Sequence, residues 1–146
     1  MGRFLGVDFG KRHTGLAISD TTGLIAVPLD EVISEADPRR LAERIVELCR
    51  ERDIETVVVG LPLNMDGSEG PAARAVREVV EHIRALTAVN VVVWDERLST
   101  KQVESAARGR TRKIRPHMDS LAAQVILQSF LDARARGTDS QDENPA

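Results

Sequence analysis

The sequence predicts an α/β protein: a five-stranded mixed sheet in the order 3-2-1-4-5, its second strand antiparallel, flanked by helices. Three observations carry the prediction. Two unbroken apolar runs, Thr56-Val57-Val58-Val59 and Val91-Val92-Val93-Trp94, lack the alternation of a half-exposed strand and read as parallel strands covered on both faces. Before and between them, apolar residues recur at helical spacing: Leu41, Ile45, Leu48 and Cys49, then Val76, Val79, Val80, Ile83 and Leu86. The chain also opens with short extended stretches joined by tight turns, the pattern of an antiparallel meander.

The elements follow in order. Phe4 to Val7 forms the first strand, ending in Gly6-Val7-Asp8-Phe9-Gly10. The turn Lys11 to Gly15 leads into the second, Leu16 to Asp20. After Thr21-Thr22-Gly23, Leu24 to Ile33 reads as a third extended stretch, which Pro28 restricts to an edge or breaks. Asp37 caps a helix with Pro38 at its first position, ending near Arg52. Glu55 to Gly60 is the fourth strand, and a right-handed crossover makes it parallel to the first. A loop rich in breakers, Leu61 to Gly70, precedes a helix opened by Pro71, and Asn90 to Asp95 is the fifth strand. Ser99 with Gln102 fits a capping box for a short helix to about Arg108. Gly109 to Arg115 reads as a mobile loop. Pro116 opens the last helix, with Ala122, Ala123, Ile126 and Phe130 on its inner face and Gly137 at its end.

Composition sets bounds. A chain of 146 residues suits one domain, expected over 1–137, with a disordered acidic tail at 138–146. The formal net charge is -3, but Asp139, Asp142 and Glu143 of that tail supply the imbalance, so bulk charge argues neither for nor against nucleic acid. Aromatics make up only 3%, too few for a stacking platform that reads unpaired bases. The single cysteine, Cys49, excludes an internal disulfide and a cysteine zinc cage. No apolar run approaches the roughly 18 residues of a membrane span, and Met1-Gly2-Arg3 does not lead into a signal peptide, so a soluble cytoplasmic protein without membrane contact is expected.

The functional signal lies in the acids. Parallel strands one, four and five share a carboxyl edge, where open α/β sheets bind ligands. Asp8 lies there, as do the loop after Gly60 and the pair Asp95-Glu96. Asp119, in the first turn of the last helix, sits at the top of that helix's apolar stripe. Its position there goes beyond a favourable interaction with the helix dipole. Acids gathered at one edge repel unless a cation joins them, and carboxylate oxygens suit Mg²⁺ or Mn²⁺. Only one of Asp95 and Glu96 can point inward. The longer Glu96 is the better placed, leaving Asp95 to pair with Arg97 or to cap. Arg110, Arg112, Lys113 and Arg115 precede Asp119 and suit a phosphate backbone, with Arg12, Asn64 and Arg97 as further substrate-binding candidates. His13, His82 and His117 show no metal-ligand spacing, although His117 is a distant candidate for proton transfer.

Four ordered blocks carry a family resemblance: Gly-Val-Asp-Phe-Gly with Arg12 and Gly15, Val-Gly-Leu-Pro-Leu-Asn with Gly67, Asp-Glu-Arg-Leu-Ser-Thr, and Asp119-Ser120-Leu121-Ala122-Ala123. Together, from Arg3 to Leu131, the chain resembles the YqgF family, a bacterial group with the ribonuclease H-like fold described as pre-16S rRNA nucleases and Holliday junction resolvase homologues. The resemblance implies Asp8, Glu96 and Asp119 as the catalytic, metal-binding set. It implies a hydrolase that trims the 5′ end of pre-16S rRNA in ribosome biogenesis, or else a resolvase that cuts branched DNA. Expected partners are pre-rRNA or a DNA junction and the ribosomal particle, with the protein a monomer or homodimer.

Two other classes compete. A sugar kinase or actin-like phosphotransferase also begins with Asp-x-Gly in a strand meander, but needs two such domains to enclose ATP. A non-catalytic assembly factor would bind RNA and cleave nothing.

Overall fold

The computed structural model describes residues 2–98 and 118–137, the side chains of Met118 and Asp119 excepted. The elements are β1 (Arg3–Phe9), β2 (Thr14–Ser19), β3 (Ala26–Pro28), α1 (Pro38–Glu51), β4 (Ile54–Leu61), α2 (Pro71–Leu86), β5 (Asn90–Asp95), a 3-10 turn at Glu96–Leu98, and α3 (Met118–Ala135). The sheet order is β3-β2-β1-β4-β5, as the sequence predicts. β2 runs antiparallel to β1 and β3, and β4 is parallel to both β1 and β5.

The third extended stretch is shorter than Leu24 to Ile33. Only Ala26–Pro28 joins the sheet, and the chain meets it again in one bridge, Thr14 to Ile33. Pro28 lacks an N–H to continue an edge ladder. At the other end, the Asp20 carboxylate accepts bonds from Leu24 N, Ile25 N and the Thr22 hydroxyl, holding that segment in a turn. Asp37 caps α1 by accepting from Arg40 N, with Pro38 at the first helical position. Leu86, expected on the inner stripe of α2, is the last residue of that helix and remains 40% exposed. The helix expected from Ser99, the basic loop, Pro116 and the acidic tail lie outside the described residues.

Strand parity assigns the two faces of the sheet. Leu5, Val7, Leu16, Ile18, Val57, Val59 and Val91 face α1 and α2 and form the larger core cluster. Phe4, Ala17, Val58, Val92 and Trp94 face α3, with Ala123, Ile126, Leu127 and Phe130. Trp94 meets Phe130 edge to face, with ring centroids 5.3 Å apart. α3 lies very close to the sheet at Gly6, where an added Cβ would stand 2.7 Å from Leu127 Cβ and 3.0 Å from the Ala123 carbonyl oxygen. Glycine is required there by proximity rather than by backbone angle.

Candidate active site

The same parity sets the site. Phe4, Gly6 and Asp8 alternate toward α3 along β1. Val92 and Trp94 do so along β5, and Glu96, two residues on, continues the series into the 3-10 turn. Asp95 falls on the opposite parity. Two carboxyl groups from strands separated by β4 therefore point to one side of the sheet, at its carboxyl edge.

They meet across Gly60. A Cβ built there would stand 2.9 Å from Glu96 Oε2 and 3.0 Å from Glu96 Cγ, so the Glu96 side chain lies flat on that glycine. It is hydrogen-bonded to Asp8. Burial pushes the Glu96 carboxyl above the usual carboxylate range, and the charge of Asp95 adds to the rise, while the bond to Asp8 acts in the opposite sense. Two carboxyl groups in contact must share a proton or a cation.

Asp119 lies in the first turn of α3. Its neighbour Ser120 is fully buried, and its hydroxyl accepts a bond from Leu16 N at 3.3 Å. Leu16 pairs with Val7, the residue before Asp8. The first turn of α3 is thus anchored beside the end of β1, although the Asp119 side chain lies outside the description. Among the described residues no group of three His, Cys, Asp or Glu side chains forms a metal cage. The donor chemistry nevertheless fits a hard divalent cation: two facing carboxyl groups, one of them destabilised as an anion by burial.

Asp95 and Arg97 face the other way and pair, as the sequence suggested for them. Arg97 Nη2 donates to Asp95 Oδ2 at 2.8 Å, and Nε donates to both carboxylate oxygens at 3.1 Å. Burial alone would raise the Asp95 carboxyl, but the side-chain and backbone bonds from Arg97, with its charge, bring it below its ordinary value. Arg97 Nη1 reaches the Met65 carbonyl at 3.1 Å. The guanidinium is thereby engaged with protein groups.

Asn64, another predicted substrate contact, donates to Ser68 Oγ at 2.9 Å, and its backbone closes the same loop through Ser68 O and Gly67 N. Arg12 is exposed on the turn between β1 and β2, at the edge that carries Asp8. His13 Nδ1 lies 2.9 Å from Ser34 Oγ. Arg110, Arg112, Lys113, Arg115 and His117 lie outside the described residues.

Sequence reasoning missed two contributors. Gly60 reads in the sequence only as a strand end, although parity counted back from Glu96 places it as the floor beneath that side chain. Ser120 carries no periodic signal, because its role depends on a β2 amide that β3 leaves unpaired.

A family model described as "RuvX: Holliday junction resolvase" matches residues 2–133. The chain belongs to the RuvX family. This is the group identified above from its motifs under the name YqgF. Similar relatives include proteins of Bacillus thuringiensis (strain Al Hakam) and Bacillus anthracis (strain A0248), each named "Putative pre-16S rRNA nuclease". Each is 41% identical over 136 residues, covering 90% of this chain and 99% of the relative. Among solved structures, "T. thermophilus RuvC in complex with Holliday junction substrate" superposes with a TM-score of 0.66 at 20% identity, covering 94% of this chain and 98% of that one. The large terminase nuclease from thermophilic phage G20c gives 0.54 at 16% identity, covering 87% and 81%. At such identities the likeness is one of fold, and it is the RuvC-like, ribonuclease H-like fold that the motifs imply for a RuvX chain.

Proposed function

We propose that this RuvX chain is a metal-dependent nuclease that hydrolyses nucleic acid phosphodiesters, and that its substrate is the 5′ end of pre-16S rRNA. The observation that carries the reading is the Asp8–Glu96 carboxyl pair on the α3 face of the sheet, at the carboxyl edge. In this reading Asp8, Glu96 and Asp119 hold Mg²⁺ or Mn²⁺. When bound, the cation supplies Lewis acidity toward a phosphate oxygen and acidifies water. The protein's own residues position and desolvate. Glu96, raised by burial, is an anion that gains from a bound cation. Gly60 lets it lie against Asp8, and Ser120 ties the helix of Asp119 to β2. Arg12, with Arg110, Arg112, Lys113 and Arg115, takes phosphates beside the scissile one. The names of the 41%-identical relatives support the rRNA substrate.

The family description favours a second reading, cleavage of four-way DNA junctions. Under either, the partner is nucleic acid, 1–137 is one nuclease domain, and the protein works in the cytoplasm as a monomer or homodimer, with the ribosomal particle as a partner under the first. Among the described residues no helix is long and apolar enough to cross a membrane.

The test is cleavage of a pre-16S rRNA leader fragment and a synthetic four-way junction, each with Mg²⁺ or Mn²⁺, beside Asp8→Asn. Metal-dependent cut RNA, absent in the variant, is expected. Cut junction with intact RNA selects the second reading. Cleavage retained by Asp8→Asn overturns both.

A further inference from the structure

Arg97 stands next to Glu96 in sequence but does not share its face. Its guanidinium grips Asp95 through three N–H···O contacts of 2.8 to 3.1 Å. Its backbone N–H donates to Asp95 Oδ1 at 2.9 Å, closing a local turn around Glu96. The remaining arm, Nη1, donates to Met65 O at 3.1 Å and lies 3.5 Å from Asn64 O. Those carbonyls belong to the loop that leaves β4 just beyond Gly60, and a Cβ built on Gly67 of that loop, at φ +89, would stand 3.8 Å from Arg97 Nη1. One planar group therefore ties the end of β5 to the loop after β4. These are the two segments whose spacing decides whether Glu96 can lie on Gly60 and reach Asp8. A fork with donors fixed in a plane can do this, whereas an ammonium cannot.

We propose that Arg97 is a positioning residue: with Asp95 it forms a clamp that holds Glu96 over Gly60 and braces the Asn64 loop, and it contacts no phosphate. This rests on the nuclease reading of the site. It differs from the expectation that Arg97 binds substrate, and the two part on measurable grounds. A phosphate-binding arginine contributes to binding and to its salt dependence, with each lost contact flattening the log–log slope by about one. A clamp contributes to the rate, and Asp95 must matter as much as Arg97.

The experiment compares Arg97→Gln, Arg97→Lys, Asp95→Asn and the Asp95→Asn/Arg97→Gln double variant with the wild type. Each is tested on the pre-16S leader fragment and the four-way junction, with kcat, KM and the salt slope of binding measured separately. The clamp predicts a fall in kcat of about 10–100-fold, the range for loss of a partner that orients a ligand. KM and salt slope stay unmoved, lysine does not rescue, and the double variant is no worse than the worse single. Amide hydrogen exchange at Glu96, Arg97 and Gly67 rises in Asp95→Asn and Arg97→Gln. A raised KM and flattened slope in Arg97→Gln, with Asp95→Asn like the wild type, overturns the proposal. So does unchanged exchange at those amides, whichever substrate is cut. Asp8→Asn is the control: if it cleaves, the nuclease reading itself fails, but if it is dead while Arg97→Gln keeps wild-type kcat, only the clamp fails.

Discussion

The two faces of the sheet are built from different materials. Toward α1 and α2 it presents Leu5, Val7, Ile18, Val57, Val59 and Val91 against Leu41, Ile45, Val76 and Val80, an aliphatic interior that excludes water. Toward α3 it presents glycines and acids as well as apolar groups. Gly6 and Gly60 bring the helix and Glu96 close, Ser120 caps a β2 amide, and Ser129 accepts from Trp94 Nε1 at 3.1 Å. At the edge strand, Gln128 accepts from Ala26 N and donates to Leu24 O, while Gln124 donates to Ala26 O. Hydrophobic contact is non-directional and tolerates a shifted helix. Hydrogen bonds and close glycine contacts do not. One face therefore supplies stability, and the other supplies the position of the Asp8–Glu96 pair.

The contrast breaks most severely at the acids. Asp8→Asn should lower cleavage by more than the ~10–100-fold expected when an outer partner of a metal ligand is lost, with the thermal unfolding midpoint little changed. Gly60→Ala comes next: its Cβ would stand 2.6 Å from Ile126 Cδ1 and 2.9 Å from Glu96 Oε2. Overpacking of this kind costs about 1–3 kcal/mol in stability, and displacement of Glu96 should lower kcat more than that loss explains. Denaturant titration beside kinetics separates the two effects.

Ser120→Ala leaves Leu16 N without its partner at a fully buried position, a loss of about 1–3 kcal/mol that should come with a reduced kcat. By contrast, Ile45→Ala on the aliphatic face should cost about 2–5 kcal/mol and leave the kcat of the folded fraction unchanged. If Ile45→Ala and Ser120→Ala reduced kcat equally, the division of labour between the faces would be wrong.

The pH dependence sharpens the same contrast. Glu96 is raised in the folded chain, so the folded state binds its proton more readily than the unfolded state. In metal-free protein its contribution to stability is therefore present at low pH and is lost as pH rises through its raised range. Glu96→Gln should remove this dependence. Mn²⁺ affinity should run the other way, weakening as pH falls through that range. Calorimetric titration across pH checks both the slope and its loss in the variant.

Much of this was legible in the sequence. Unbroken valine runs fixed β4 and β5, helical spacing fixed α1 and α2, and Asp37-Pro38 marked a helix start. Asp8 and the Asp95-Glu96 pair reached the correct edge because strand ends are set by local patterns. The length of β3 was not legible, since it depends on how Asp20 and Pro28 divide the segment between turn and sheet. For Arg97 only half was legible: its pairing with Asp95, two residues away, follows from the sequence, whereas the Met65 carbonyl is brought to it by the fold. Ser120 and Gly60 act through neighbours distant in sequence, which periodicity cannot reveal.

Under the proposed function, Asp8, Glu96 and Asp119 surround one cation-binding position on the α3 face. An anomalous-difference map from crystals soaked in Mn²⁺ tests it most directly. A peak is expected within about 2–2.5 Å of oxygens from both Asp8 and Glu96, with Asp119 on the same ion or its neighbour. A map without density there, from protein that still cleaves nucleic acid when Mn²⁺ is added, would contradict it.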